Sequence, residues 1–253
     1  MFFDSHAHIT YGDTYDQIDD VLARAKAAKV SHIVNICTDI TTLERGIELA
    51  KRTPWVFNSG ATTPHDVEEE GESAFPHFEK AARDGHLVAI GETGLDYYYE
   101  HSNRELQQEF CIRYFRLADA LNLPVVIHCR DAFDDLFRLA DTHYKGRAIL
   151  HCFTGTYDEA KRGVDRGWMV SMSGIATFKR SQDLRDTFKK LPLEHLLIET
   201  DTPYLAPQTR RGKPNEPAFV GETCQCLADL HGKSLEEVAE TTLQNGRRFF
   251  GIA

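Results

Sequence analysis

Five short apolar runs in this chain lead directly into His, Asp or Glu, and this repetition limits the folds that the chain can adopt. The run at residues 87–90 is β-branched at Val88 and Ile90 and is followed by Glu92 between two glycines. Such a run predicts a strand buried on both faces, as in parallel sheets. A carboxylate at the end of that strand is costly to desolvate unless a cation or a hydrogen-bond donor meets it. Taken alone, Glu92 is better explained as a turn cap or as the partner of an arginine than as a metal ligand.

The first strand shows the pattern in its most compact form, because Asp4, His6 and His8 follow Phe2-Phe3. Side chains alternate along a strand, so residues 4, 6 and 8 are expected to point the same way. Two imidazoles at a period of two suit chelation of a metal ion. The alternative is a pair of buried histidines that are hydrogen-bonded to Asp4.

Eight apolar strands alternate with stretches of helical periodicity, and this order predicts an α/β fold of the (β/α)8 TIM-barrel class, as one domain over residues 1–253. A doubly wound sheet is the competing fold, but no glycine-rich phosphate loop follows the first strand. In a barrel the carboxyl ends of all strands open at one mouth. Burying so many polar groups there without a counter-ion would be too costly. The predicted metal ligands are His6, His8, Glu92, His128, His151 and Asp201.

The composition of the chain limits which partners and which cellular compartment are expected. The chain has 253 residues and a formal net charge of -10, which disfavours nucleic acid as a partner unless a local basic patch or bound cations reverse the field. Neither a signal peptide nor an apolar stretch of membrane-spanning length is recognised. Six scattered cysteines without a CxxC motif indicate reduced thiols, so a cytoplasmic protein without a membrane partner is expected.

Several of these motifs, in this order, resemble those of the TatD family of metal-dependent deoxyribonucleases, which is similar in fold to the amidohydrolases. The resemblance covers the chain from residue 2 to the last helix. The motifs that carry it are Asp4-Ser5-His6-Ala7-His8, Gly91-Glu92-Thr93-Gly94-Leu95-Asp96-Tyr97, His128-Cys129-Arg130-Asp131-Ala132, His151-Cys152-Phe153-Thr154-Gly155, Glu199-Thr200-Asp201-Thr202-Pro203-Tyr204 and Asn215-Glu216-Pro217.

The resemblance implies hydrolysis of nucleic acid, as a 3'-5' exonuclease, with two or three divalent cations. One cation would take His6, His8, Glu92 and Asp201, and a second would take Glu92, His128 and His151. Phosphodiester hydrolysis needs an activated water, charge neutralisation and help for the leaving group, which two cations about 3.5–4 Å apart supply. Glu92 is expected to bridge them and Asp201 to orient or deprotonate the attacking water. The resemblance favours Mg or Mn in use, whereas the mixed ligands also suit Zn or Ni in a crystal.

Substrate contacts are expected from residues that follow the strand ends. Arg130 is placed to meet a phosphate, with an ion pair to Asp131 or Glu92 as the alternative. The candidates for stacking an unpaired base are Tyr97, Tyr98, Tyr99 and Phe178. Solvated or packed loops explain the basic and the aromatic residues equally well. The basic candidates are Lys179, Arg180, Arg210, Arg211 and Lys213. DNA is the expected partner, with RNA as a second substrate. The sequence leaves the oligomeric state open, and a monomer is favoured.

Two other classes of function remain open, because a fold does not determine the reaction. The same ligands are able to hydrolyse another ester or amide, such as an aminoacyl ester on RNA or a lactone. A carboxylated lysine is common in that group of enzymes, but Glu92 stands in the bridging position and no strand end carries a lysine. A scaffold without activity would be expected to lose ligands, and none is lost.

Overall fold

The computed structural model describes residues 1–252, in which eight parallel strands alternate with ten α-helices. The strands are β1 (Phe2–Ala7), β2 (Val30–Cys37), β3 (Val56–Gly60), β4 (Ala89–Asp96), β5 (Val125–Arg130), β6 (Ala148–Leu150), β7 (Met169–Met172) and β8 (Leu196–Ile198). The helices are α1 (Gly12–Asp16), α2 (Ile18–Ala27), α3 (Ile40–Arg52), α4 (Gly71–Arg83), α5 (Arg104–Leu121), α6 (Phe133–His143), α7 (Tyr157–Asp165), α8 (Gln182–Lys190), α9 (Val220–His231) and α10 (Leu235–Phe250).

The sheet runs in the sequential order β1 to β8. A parallel bridge between Ala7 and Thr202 joins β1 to the segment that follows β8. Sequential parallel strands with a helix after each one are the topology of the (β/α)8 barrel, so the predicted fold class is confirmed.

Contacts between Cα atoms group the chain into two compact units. The first consists of Met1–Asn35 and the chain from Cys152 onward, and the second is Ile36–His151. The expectation of one domain over residues 1–253 therefore stays a prediction.

The first unit contains β1, β7 and β8 and the two last helices. Phe3 of β1 is buried and stacks on His32 at 5.3 Å and on Phe250 of α10 at 5.8 Å. In the same unit β7 pairs with β8 so that Ser171 lies opposite Leu197. These contacts position the ends of β1 and β8, from which His6 and Asp201 come.

The second unit contains β3 to β6, with β5 paired in parallel to β4 and to β6. Thr93 lies opposite Ile127, and Ile127 lies opposite Leu150. Helix α5 covers this sheet with Tyr114, which is fully buried and shares a 3.0 Å hydrogen bond with the hydroxyl of Thr62. Burying the ring while pairing its hydroxyl avoids the cost of an unsatisfied polar group.

Strand β4 continues beyond the position that the sequence predicts for its end. Glu92 lies inside the strand, which runs on to Asp96, and the register to β5 shifts between Ile90 and Thr93. Gly94 has φ +145°, and a Cβ atom there would collide with the carbonyl oxygen of His128. Glycine thus allows β4 and β5 to approach closely around the polar residues.

One predicted helix is divided in the structure. Helical periodicity predicts a single helix over residues 15–29, but α1 ends at Asp16 and α2 begins at Ile18. The buried stripe of Ile18, Val21, Leu22 and Ala25 lies entirely on α2, which explains why the apolar pattern is strong there and absent before it. Within residues 1–252, no helix combines the length and the apolar character that crossing a bilayer requires.

Candidate metal centre

Three predicted ligands meet at the ends of β1 and β8, and we name His6, His8 and Asp201 the first triad. The Nε2 atoms of His6 and His8 lie 3.2 Å apart. The Oδ1 atom of Asp201 lies 3.4 Å from His6 Nε2 and 3.5 Å from His8 Nε2. Asp201 adopts φ +59°, a left-handed conformation that aspartate tolerates better than most residues.

Three more predicted ligands meet in the second unit, and we name Glu92, His128 and His151 the second triad. Glu92 Oε1 lies 3.0 Å from His128 Nδ1 and 2.9 Å from His151 Nε2. The two histidine nitrogens are 3.4 Å apart. Glu92 and His151 are buried, so each is held by its surroundings rather than by solvent.

The spacing within each triad fits a divalent cation. Two ligand atoms about 2.1 Å from a common ion and at angles between octahedral and tetrahedral lie about 3.0–3.4 Å from each other. The measured separations run from 2.9 to 3.5 Å, with a carboxylate oxygen and two imidazole nitrogens in each set. The donors are those that Zn, Mn, Ni or Fe accept, and the carboxylates also suit Mg. Both triads are therefore able to bind a metal.

Asp96 is a neighbour of the second triad to which the sequence reasoning gave no role. Its Oδ2 lies 2.8 Å from Nε2 of His128, on the ring edge opposite the nitrogen that faces Glu92. Its Oδ1 accepts hydrogen bonds from the backbone N–H groups of Tyr98 and Tyr99. Burial opposes the charge of Asp96, but these hydrogen bonds lower its pKa to about 2. The signal in the sequence was its spacing of four from Glu92, which places both side chains on one face of a strand.

The pKa of His128 reflects the same contacts. Burial by itself would lower it, but the hydrogen bonds to Asp96 and Glu92 raise it above the ordinary value. His65, in the loop after β3, lies 3.6 Å from Asp96 Oδ2, and its ring contacts that of His128 edge to face. Burial and the nearby His128 lower the pKa of His65, which favours its neutral form.

Asp4 does not take the position that the sequence suggested, as an acid behind the two imidazoles. Its carboxyl group instead accepts hydrogen bonds from Thr200, at 2.9 Å from the backbone nitrogen and 2.6 Å from Oγ1. Complete burial raises the pKa of Asp4 to about 8. Asp4 thus joins β1 to the segment after β8 and holds the two sides of the first triad together.

The arginine after His128 does not form the ion pair that was its alternative to a phosphate contact. The guanidinium of Arg130 lies over the ring of Tyr98 at 3.7 Å and over that of Tyr99 at 4.8 Å, and both tyrosines are exposed. Tyr97 is held differently, because its hydroxyl donates to Asp135 and Arg104 covers its ring at 4.3 Å. Tyr98 and Tyr99 are thus the exposed tyrosines of this segment.

The basic candidates lie in loops of the first unit. Arg210 pairs with Glu222 at 3.0 Å and lies over Phe219, while Arg211 lies over the ring of Phe178 at 4.5 Å. The backbone N–H of Lys179 donates to Gln208, which joins the loop after β7 to the loop after β8. Arg180 and Lys213 are exposed.

The comparisons with known proteins cover the whole chain. The family model of TatD-related DNases matches residues 3–251. The chain is 36% identical over 260 residues to the uncharacterized metal-dependent hydrolase YcfH of Escherichia coli, across 98% of this chain and 95% of that protein. It is 33% identical over 258 residues to the 3'-5' ssDNA/RNA exonuclease TatD of Escherichia fergusonii, across 99% of both.

A solved structure agrees with these sequence matches. The crystal structure of YJJV, a TatD homologue from Escherichia coli, superposes with a TM-score of 0.94 at 27% identity, over 100% of this chain and 98% of that one. Since the family model and the relatives extend over both units and the two triads offer metal-binding side chains, the chain belongs to the TatD family of metal-dependent hydrolases.

Proposed function

We propose that the protein is a divalent-metal-dependent nuclease that hydrolyses phosphodiester bonds of DNA, and of RNA as a second substrate, from the 3' end. The observation that carries the proposal is the pair of triads, each with one carboxylate and two imidazoles at the spacing of a shared cation. A relative, the E. fergusonii protein that is named a 3'-5' ssDNA/RNA exonuclease, supports the proposal. Mg or Mn is the proposed metal in use, with two or three ions.

In this proposal Glu92 is the ligand that both cations share. Bound cations would neutralise charge on the phosphoryl oxygens and lower the pKa of a water molecule. The protein's task is to hold the ligands in place, and Glu92 is suited to it because it is buried and contacts two imidazoles of its own triad. A fixed carboxylate costs no reorganisation during the reaction.

Asp201 is proposed to orient the attacking water and take its proton. The side chains of Asp201 and His8 are each 12% exposed, whereas that of His6 is fully buried, so Asp201 is the carboxylate of the first triad and has access to solvent. A positioned base of this kind contributes about 10²–10⁴-fold to a rate.

Arg130, two residues after His128 of the second triad, is proposed to contact a phosphate from above the Tyr98 ring.

The test is a gel-resolved digestion of end-labelled single- and double-stranded DNA and RNA, with Mg or Mn and with a chelator control. We expect the 5'-labelled strand to become shorter by one nucleotide at a time, and only when the metal is present. Hydrolysis of aminoacyl esters or lactones with no loss of labelled nucleic acid would overturn the proposal. Comparing 3'-hydroxyl with 3'-blocked substrates then tests the direction of attack.

A further inference from the structure

A groove of about 630 Å³ opens beside the first triad, within the first unit, and no step of the proposed reaction uses it. Its walls come from the loop after β1, from helices α1 and α2, and from the loop after β8. The side chains on which the inference depends are Tyr11, Arg24, Tyr204, Lys213, Asn215 and Glu216.

Both exposed tyrosines of the groove are tied to the first triad. Tyr11 follows His8 by three residues, and its backbone N–H donates to the carbonyl oxygen of His8 at 3.3 Å. Tyr204 follows Asp201 by three residues, and its backbone N–H donates to the carbonyl oxygen of Asp201 at 2.8 Å. Tyr204 also meets the ring of His8 edge to face, with centroids 6.0 Å apart. The groove therefore begins one side chain away from the proposed reaction centre.

The platform formed by Tyr204 is fixed before any ligand arrives. The buried side chain of Asn215 donates to the carbonyl oxygens of Thr200 at 2.7 Å and of Tyr204 at 2.8 Å. Its backbone N–H donates to Pro203 at 2.9 Å. A ring that is 50% exposed on a backbone held at three points loses little freedom when a ligand stacks on it.

The charges in the groove balance one another. Arg24 and Glu216 form an ion pair at 2.6 Å, which leaves exposed Lys213 and exposed Asp13 as the other charges of the walls. In a chain of net charge -10, a balanced groove does not attract a polyanion by its field alone. Two accessible aromatic faces in such a groove match flat, neutral ring systems instead.

We propose that this groove binds the unpaired nucleobases next to the scissile phosphodiester, by stacking them on Tyr204 and then Tyr11. The inference rests on the proposed nuclease function and assigns the place where the bases of its substrate bind. Bases in a duplex keep their faces covered by their neighbours, so only unpaired nucleotides offer them to the two rings. Stacking tolerates any base, because every base has an aromatic face.

The test pairs a change in the protein with a change in the substrate. Steady-state kinetics of the metal-loaded enzyme are measured on an eight-nucleotide DNA strand and on the same strand with abasic residues at the second to fourth positions from the 3' end. For the wild type we expect kcat/KM to fall by about 5- to 100-fold on the abasic strand. Tyr204→Ala and Tyr11→Ala should bring the ratio of kcat/KM on the intact strand to kcat/KM on the abasic strand towards one. Tyr204→Phe, which keeps the aromatic face, should retain the wild-type ratio.

Tyr98→Ala tests the competing stacking site, since Tyr98 is an exposed tyrosine of the other unit. If Tyr98→Ala removes the sensitivity to abasic residues and the groove variants keep it, the groove proposal is overturned. A wild type that cleaves both strands equally well overturns it too, and leaves the nuclease proposal standing. A wild type that cleaves neither strand contradicts the nuclease proposal itself.

The salt dependence of KM distinguishes binding by stacking from binding through charge. Tyr11→Ala should raise KM at every salt concentration without changing the slope of log KM against log salt. Lys213→Ala should lower that slope by about 0.7 if Lys213 contacts one phosphate. Lys26→Ala removes the same charge from the last turn of α2 and should leave the slope unchanged. A shift in slope for Tyr11→Ala would contradict binding by stacking.

Discussion

His128 lies between two carboxylates, with Nε2 2.8 Å from Asp96 Oδ2 and Nδ1 3.0 Å from Glu92 Oε1. Asp96 is an acceptor for two backbone N–H groups and for His128, so it favours a proton on Nε2 of the ring. The lone pair of a neutral His128 is then on Nδ1, where the second triad needs it. A carboxylate behind a ligating histidine sets the tautomer and raises the basicity of the ligand.

Asp96→Asn tests this relationship. The amide oxygen of the new side chain can still accept the hydrogen bonds from the backbone N–H groups of Tyr98 and Tyr99. The amide nitrogen then faces Nε2 of His128 as a donor, which favours a proton on Nδ1 of the ring instead. We expect the metal affinity of the second triad to fall by about 10- to 100-fold, with the first triad less affected. Competition titration with a chelating dye measures both sites. Asp131→Asn, at an exposed aspartate, is the control, and equal affinities for the two variants would contradict the prediction.

Glu92→Gln tests the bridge. Because Glu92 is proposed to serve both cations, the variant should lose one or both of them and nearly all activity. The metal content of the purified variant, measured by elemental analysis together with its rate of hydrolysis, tests this prediction. Two bound metals in the variant would mean that Glu92 is not the shared ligand.

Asp201→Asn separates water handling from metal binding. The amide keeps an oxygen that is able to coordinate, so some metal should remain while the base is lost. We expect kcat to fall by about 10²–10⁴-fold with KM little changed. Full activity with metal bound would show that the reaction needs no base at this position.

The basic loop after β8 is expected to contribute through charge. Replacing Arg210, Arg211 and Lys213 together by Ala should raise KM for an oligonucleotide and make its salt dependence shallower, because fewer counterions are released. Among the single variants Arg210→Ala should have the smallest effect, since Glu222 already balances its charge. An equal loss of rate on a small phosphodiester would instead indicate a structural role for the loop.

Gly94→Ala tests the close approach of β4 and β5. The added Cβ atom would collide with the carbonyl of His128, at a φ that only glycine adopts readily. We expect the free energy of unfolding to fall by more than about 1 kcal/mol in urea titrations. Gly85→Ala is the matched control, because Gly85 also has positive φ but open space around it. Similar losses for both would mean that backbone strain, and not the collision, limits this position.

Local pattern in the sequence was sufficient for the eight strands, the barrel topology and the six proposed ligands. Buried strands need continuous apolar residues, and a metal site needs imidazoles and carboxylates, so both leave a direct mark on residue type and spacing. His6 and His8 are the clearest case, since a period of two on a strand already places them together. The break between α1 and α2 was missed because periodicity averages over a whole turn and does not register one residue such as Gln17.

The sequence by itself thus determined which polar residues lie in or shortly after the strands and which chemistry they offer. Tertiary structure alone decided what each side chain meets: Asp4 bonds to Thr200 rather than to an imidazole, Asp96 to His128, and Arg130 to the tyrosine rings. The physical reason is that hydrogen bonds and ring contacts depend on distances of a few tenths of an ångström between residues far apart in the chain. Those distances come from packing, such as the approach of β4 and β5 at Gly94, and no spacing along one strand encodes them.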